Sequence, residues 1–151
     1  MLRRTTFAAI LCFLLIRPVN SQTTYAPTSR TVESINETVF HYVFSTELRG
    51  SDAEAFCISS VSALPRTFTE RFSKTEPPVV SLIACPFGGS DTKKTPPVKI
   101  QILKIDWKDA AEVYVRVFPG DGGIGASQQS LRIVYRDGRW NVIGVKNELF
   151  S

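Results

Sequence analysis

Residues 98–117 read VKIQILKIDWKDAAEVYVRV and residues 131–142 read LRIVYRDGRWNV. In the first stretch Val98, Ile100 and Ile102 alternate with polar residues, and Leu103, Ile105 and Trp107 then alternate on the opposite phase. Alternation is the mark of a strand with one buried face, and a phase change of one residue predicts a β-bulge near Ile102 and Leu103. Lys108 and Asp109 predict a turn, after which Ala111, Val113, Val115 and Val117 form a second strand. Leu131, Ile133 and Tyr135 form a third, and Trp140 and Val142 a fourth. Asp137-Gly138 joins the last two, because a two-residue hairpin turn needs residues that tolerate positive φ. Four consecutive strands predict an antiparallel meander with one face to be covered.

The cover comes from the N-terminal side. Val32, Ile35, Val39, Phe40 and Val43 recur at helical spacing, which predicts an amphipathic helix over residues 31–48 with Thr31 or Ser34 as cap, Glu37 closing a capping box and Gly50 as the stop. Residues 55–61 (AFCISSV) are short and β-prone. Pro65 followed by Phe68 and Phe72 predicts a short helix, ended by Pro77-Pro78, and residues 79–85 (VVSLIAC) are a second apolar run. Ahead of the helix, residues 22–30 are polar, carry Pro27 and predict a flexible segment.

The first 21 residues read as a cleavable signal peptide. Arg3 and Arg4 precede an apolar run over residues 7–16 (FAAILCFLLI), and Val19-Asn20-Ser21 supplies a cleavage site after Ser21. That run is about half of the roughly 20 residues a spanning helix needs, so no stable membrane insertion is expected after cleavage. Removing Arg3, Arg4 and Arg17 lowers the cations from 18 to 15 against 14 acids, and the net charge from +4 to +1. The basicity that would favour a nucleic-acid partner therefore resides mostly in the leader. What remains, residues 31–151, is the size of a single domain. The expected location is secreted or periplasmic.

Cleavage also discards Cys12 and leaves Cys57 and Cys85, which permit one intramolecular connectivity. An oxidising compartment predicts that disulfide, whereas two unpaired buried thiols would fit a cytosolic chain.

A helix, then a short strand and helix, then a bent sheet ending in Tyr135-Arg136-Asp137-Gly138-Arg139-Trp140-Asn141-Val142 resembles the cone-shaped superfold of nuclear transport factor 2 and its cystatin-like relatives, over about residues 31–150. Within it, Phe56-Cys57-Ile58-Ser59 with a later Cys85 is similar to a set of small exported bacterial proteins. The expected fold is thus α+β: N-terminal helices packed on a strongly bent, cone-like antiparallel meander with one disulfide. The resemblance leaves function open, since this superfold carries isomerases, dehydratases, adaptors and plain binding domains.

An isomerase-like site needs a carboxylate base facing a hydroxyl that holds the developing oxyanion. The residue types available are Asp106, Tyr114 and Tyr135. Alternation sends Asp106 and Tyr114 to the outer face and only Tyr135 to the buried one. His41 is the single histidine and reads as a boundary residue. With no Cys-x-x-Cys and no clustered carboxylates, no metal site, cofactor site or nucleophilic triad is expected. Residues 120–125 (GDGGIG) match G-x-G-x-x-G but lead into a strand rather than a helix, so they read as a hairpin loop. Residues 90–93 (SDTK) spell S-x-x-K within a loop and carry no catalytic reading. The basic stretch of Lys93, Lys94, Lys99 and Lys104 reads as a solvated edge that discourages sheet-to-sheet pairing. Asn36-Glu37-Thr38 is a glycosylation sequon, of consequence in a eukaryotic source if the helix exposes Asn36.

The expectation is a non-catalytic binding domain. Its ligand would be a small apolar molecule held by Tyr135, Trp107 and Trp140, or a protein, including a second copy of the chain, docked across the sheet. The alternative is an isomerase- or dehydratase-like enzyme with its pocket inside the cone.

Overall fold

The computed structural model of the chain describes residues 25–86, 95–120 and 128–148. Residues 1–21, read above as a signal peptide, the S-x-x-K match at residues 90–93 and most of the G-x-G-x-x-G match at residues 120–125 lie outside these. One helix, α1 (Ser29–Thr46), precedes six strands: β1 (Phe56–Ser60), β2 (Val79–Ser81), β3 (Val98–Trp107), β4 (Glu112–Gly120), β5 (Gln128–Arg136) and β6 (Arg139–Glu148). They form one open sheet in the order β2-β1-β3-β4-β5-β6.

Thr28, not Thr31 or Ser34, caps α1: its Oγ1 accepts from the Thr31 N–H at 3.2 Å, so the helix starts inside the segment expected to be flexible. At the other end the Glu47 and Leu48 N–H groups both donate to the Val43 carbonyl at 3.0 Å, and Gly50 turns the chain with φ +75°. Helix Ser29–Thr46 therefore sits two residues earlier than the pattern over 31–48 suggests.

The meander forms as its alternation requires. The register between β3 and β4 shifts between Ile102 and Lys104, leaving Leu103 as the bulged residue at 42% exposure. The β5–β6 turn places Asp137 at φ 55° and Gly138 at φ 77°, the paired positive φ of the expected hairpin. Val113, Val115, Val117, Leu131 and Ile133 are all fully buried on one face.

Two expectations are corrected. The sheet is mixed rather than purely antiparallel, since β1 lies parallel to both β2 and β3. Burial of Phe56, Cys57 and Ile58 in succession is what a parallel strand covered on both faces needs. The cover is also one α-helix instead of several. Phe68–Phe72 is a 3-10 turn, and the run over 79–85 divides into β2 and a second 3-10 turn, Leu82–Ala84.

Phe40, Phe44, Phe56, Phe68 and Phe72 fill the space between α1, β1 and the first 3-10 turn, with ring centroids 5.1–6.3 Å apart. Arg71 fastens that turn to the helix through Glu33 at 2.8 Å and Glu37 at 2.7 Å. On the other side of β1, Cys57 bonds to Cys85 across a sequence separation of 28 residues. Cys57 alternates with Phe56 and Ile58, so the disulfide holds the second 3-10 turn against the face of the sheet opposite α1. Among the described residues no helix is long and apolar enough to cross a membrane.

Candidate functional site

At the end of the sheet where β3 turns into β4 and β5 into β6, the strands face the first turn of α1. The gap between them is an open cleft of about 320 Å³. Tyr25, Tyr135 and Trp140 form its aromatic wall, and Arg30, Thr31 and Ser34 of α1 face them, with Ala110 and Gly138 at the rim.

The aromatic wall is a continuous run of rings. Tyr25 stands 4.9 Å from Trp107, Trp107 lies edge-on to Trp140 at 5.9 Å, and Trp140 contacts Tyr135 at 5.3 Å. Such tilted and edge-to-face pairs fix one another's orientation through their ring quadrupoles. Trp140 is 7% exposed and forms the rigid backing, whereas Tyr135 is 48% exposed and offers its ring to solvent at the cleft mouth.

The structure thus brings together the three residues singled out from sequence, with two changes. Tyr135 shares the inward face with Leu131 and Ile133 but lines the open cleft, so it is half-exposed instead of buried in the core. Trp107 stands behind the cleft and supports Trp140 and Tyr25. The reading missed Tyr25, which belongs to the polar lead-in yet is anchored on Trp107, and it missed the polar side Arg30, Thr31 and Ser34. The Thr28 cap was the signal that could have found them, because it brings the first turn of α1 to this end of the sheet.

Polar partners in the cleft are only partly engaged. Thr31 Oγ1 is 2.8 Å from Thr28 Oγ1. Arg30 forms no ion pair among the described residues. No carboxylate stands among the described residues that line the cleft. Asp106 is on the opposite face of the sheet, 2.8 Å from Lys104 Nζ, and Asp109 accepts from the Ala111 N–H at 2.8 Å. Among the described residues no group of three or more His, Cys, Asp or Glu could hold a metal ion.

That opposite face carries its own network. Glu112 accepts from Arg132 Nε at 2.7 Å, from Tyr114 Oη at 3.0 Å and from Lys108 Nζ at 3.1 Å. The Arg132 hydrogen bond, with help from Lys108 and Tyr114, pulls the Glu112 carboxyl down to about 2. Tyr114 is thereby tied to a structural carboxylate on the outer face. His41 is exposed, with its ring 4.9 Å from Phe72 and its Nε2 4.0 Å from Glu37. Asn36 is fully buried and hydrogen-bonded to Ser60 and Ser62, so the folded helix does not present the sequon.

Comparison with protein-family models, with curated proteins and with solved structures returns no match for this chain.

Proposed function

We propose that this chain is a non-catalytic binding domain whose ligand is a small molecule with an apolar ring face, held in the cleft between Trp140, Tyr135 and the first turn of α1. The carrying observation is Tyr135: a large aromatic ring, 48% exposed and packed at a tilt against a buried tryptophan at the wall of an open cleft. Burying such a ring against a ligand removes apolar area from water at roughly 25 cal/mol per Å². The cleft lies at the lower end of the usual range for small-molecule sites.

In this proposal the domain is a cone-like relative of the nuclear transport factor 2 superfold, a reading supported by the leading helix, the bulged β3 and the closing hairpin. The protein is exported, which the apolar leader and the Cys57–Cys85 bond support. The space within the fold is filled by phenylalanines, so the ligand sits at the end of the sheet. An isomerase-like reaction would need a carboxylate near Tyr135, and Asp106 is committed to Lys104 on the other face.

Equilibrium dialysis with 2-naphthylmethanol, a neutral ring probe, tests this reading. Saturable binding that Tyr135→Ala weakens supports it, while no binding up to the solubility of the probe overturns it.

A second reading is favoured by the sheet edge. β6 ends the sheet, runs ten residues and exposes Ile143 and Val145 at 43% each. An edge strand of this kind is a template for pairing with a second copy of the chain. Sedimentation equilibrium of wild type and Ile143→Lys distinguishes the two: a dimer lost in the variant supports pairing through β6, and a monomer throughout dismisses it.

A further inference from the structure

The cleft is chemically asymmetric. One wall is aromatic, and the facing wall presents one formal charge, that of Arg30, beside the hydroxyl-bearing Thr31 and Ser34. That charge has no ion-pair partner among the described residues. α1 has no acid in its first turn, and Glu33, the nearest acid along the helix, is bound to Arg71 at 2.8 Å. Asp109, next to the rim residue Ala110, accepts from the Ala111 N–H, and neither it nor Asp137, next to the rim residue Gly138, forms an ion pair with Arg30. A guanidinium without an ion-pair partner among the described residues, beside an aromatic wall, is matched by a carboxylate or another planar oxyanion, which it can hold through two parallel N–H donors.

Building on the small-molecule reading above, we infer that the cleft selects planar ring compounds bearing an anionic group, with the ring against Tyr135 and Trp140 and the oxyanion on Arg30. The hydroxyls of Thr31 and Ser34 flank the same position and supply further hydrogen bonds to it. Because Arg30 is exposed, its contribution is one of selectivity among ring compounds, of the size measured for solvent-screened ion pairs.

The experiment compares naphthalene-2-carboxylate with 2-naphthylmethanol, the same ring with a charged or a neutral substituent, on wild type, Arg30→Gln and Arg49→Gln, in which an exposed arginine outside the cleft lining is replaced. Wild type should bind the carboxylate about three- to fivefold more tightly than the alcohol, with the ratio rising as salt is lowered. Arg30→Gln should bring the ratio to about one, and Arg49→Gln should keep it. Equal binding of the two probes by wild type, or a preference that survives Arg30→Gln, overturns the assignment to Arg30 and leaves the ring-binding cleft standing. Binding of neither probe overturns the cleft itself and this inference with it.

Discussion

Ser60 Oγ donates to Asn36 Oδ1 at 3.0 Å, from the end of β1 to the middle of α1. Asn36 Nδ2 in turn donates to Ser62 Oγ at 2.9 Å, and the two serine hydroxyls are 2.9 Å apart. Since the Ser60 proton is spent on Asn36, Ser62 is the donor between the serines, and the three side chains close a ring. This ring fixes the height of the helix on β1 with a buried amide whose two ends are both satisfied.

Asn36→Leu is therefore predicted to cost about 1–3 kcal/mol, the loss of two hydrogen bonds to the half-buried hydroxyls of Ser60 and Ser62. Adding Ser60→Ala and Ser62→Ala should recover part of the loss, because removing all partners together is less harmful than removing one. Urea unfolding of the single and triple variants checks this, and a single variant as stable as wild type would contradict it.

The disulfide closes a loop spanning 28 residues between β1 and the second 3-10 turn. Its loss is predicted to lower stability by about 3 kcal/mol through the larger conformational freedom of the unfolded chain. Urea midpoints with and without reductant, and for the Cys57→Ala/Cys85→Ala variant, should fall together. An unchanged midpoint in the double variant would show that the bond constrains nothing.

Acid stability should follow Glu112. Its carboxyl is lowered from 4.5 to about 2 by Arg132 first, then Lys108 and Tyr114, so below 4.5 the unfolded chain takes up a proton that the folded one resists. The stability from this group is complete above 4.5 and is lost as the pH falls towards 2. Glu112→Gln is predicted to melt earlier at neutral pH and to show a shallower decline in melting temperature across that acidic window. Parallel curves for the two proteins would contradict the assignment.

Tyr135 and Trp140 should separate stability from exposure. Trp140→Ala removes a buried ring and is predicted to cost about 3–5 kcal/mol, whereas Tyr135→Ala removes a half-exposed one and should cost under about 1 kcal/mol. The chain's two tryptophans both belong to the aromatic run, so their emission reports the cleft directly. Tyr135→Ala should change that emission while thermal melting stays near wild type. An unchanged spectrum would separate Tyr135 from the cluster.

The features legible in the sequence were those encoded locally. The bulge at Leu103 shows as a phase change, and the Asp137-Gly138 turn shows in its residue types. The pairing direction of β1 is not local: a short apolar run reads the same whether its neighbours lie parallel or antiparallel. Tyr135 shares the inward face that alternation predicts, but its exposure comes from the cleft between α1 and the sheet end, which alternation does not encode. Asn36 carried an unused signal, since it lies four after Val32, three before Val39 and seven before Val43, within the apolar stripe. The polar side of the cleft depends on the rotation of α1 over the sheet end, which emerges from packing of the whole phenylalanine cluster.

In the proposed reading the end of the sheet around Trp140 binds small ring compounds. The most direct test of it is a nitrogen–proton correlation spectrum, in which the indole N–H groups of Trp107 and Trp140 give the chain's two indole signals. On titration with 2-naphthylmethanol the Trp140 signal should move saturably, Trp107 should move less, and Tyr135→Ala should shift the midpoint to higher probe concentration. Indole signals that stay fixed while the probe reaches its solubility limit would rule out ring binding at Trp140.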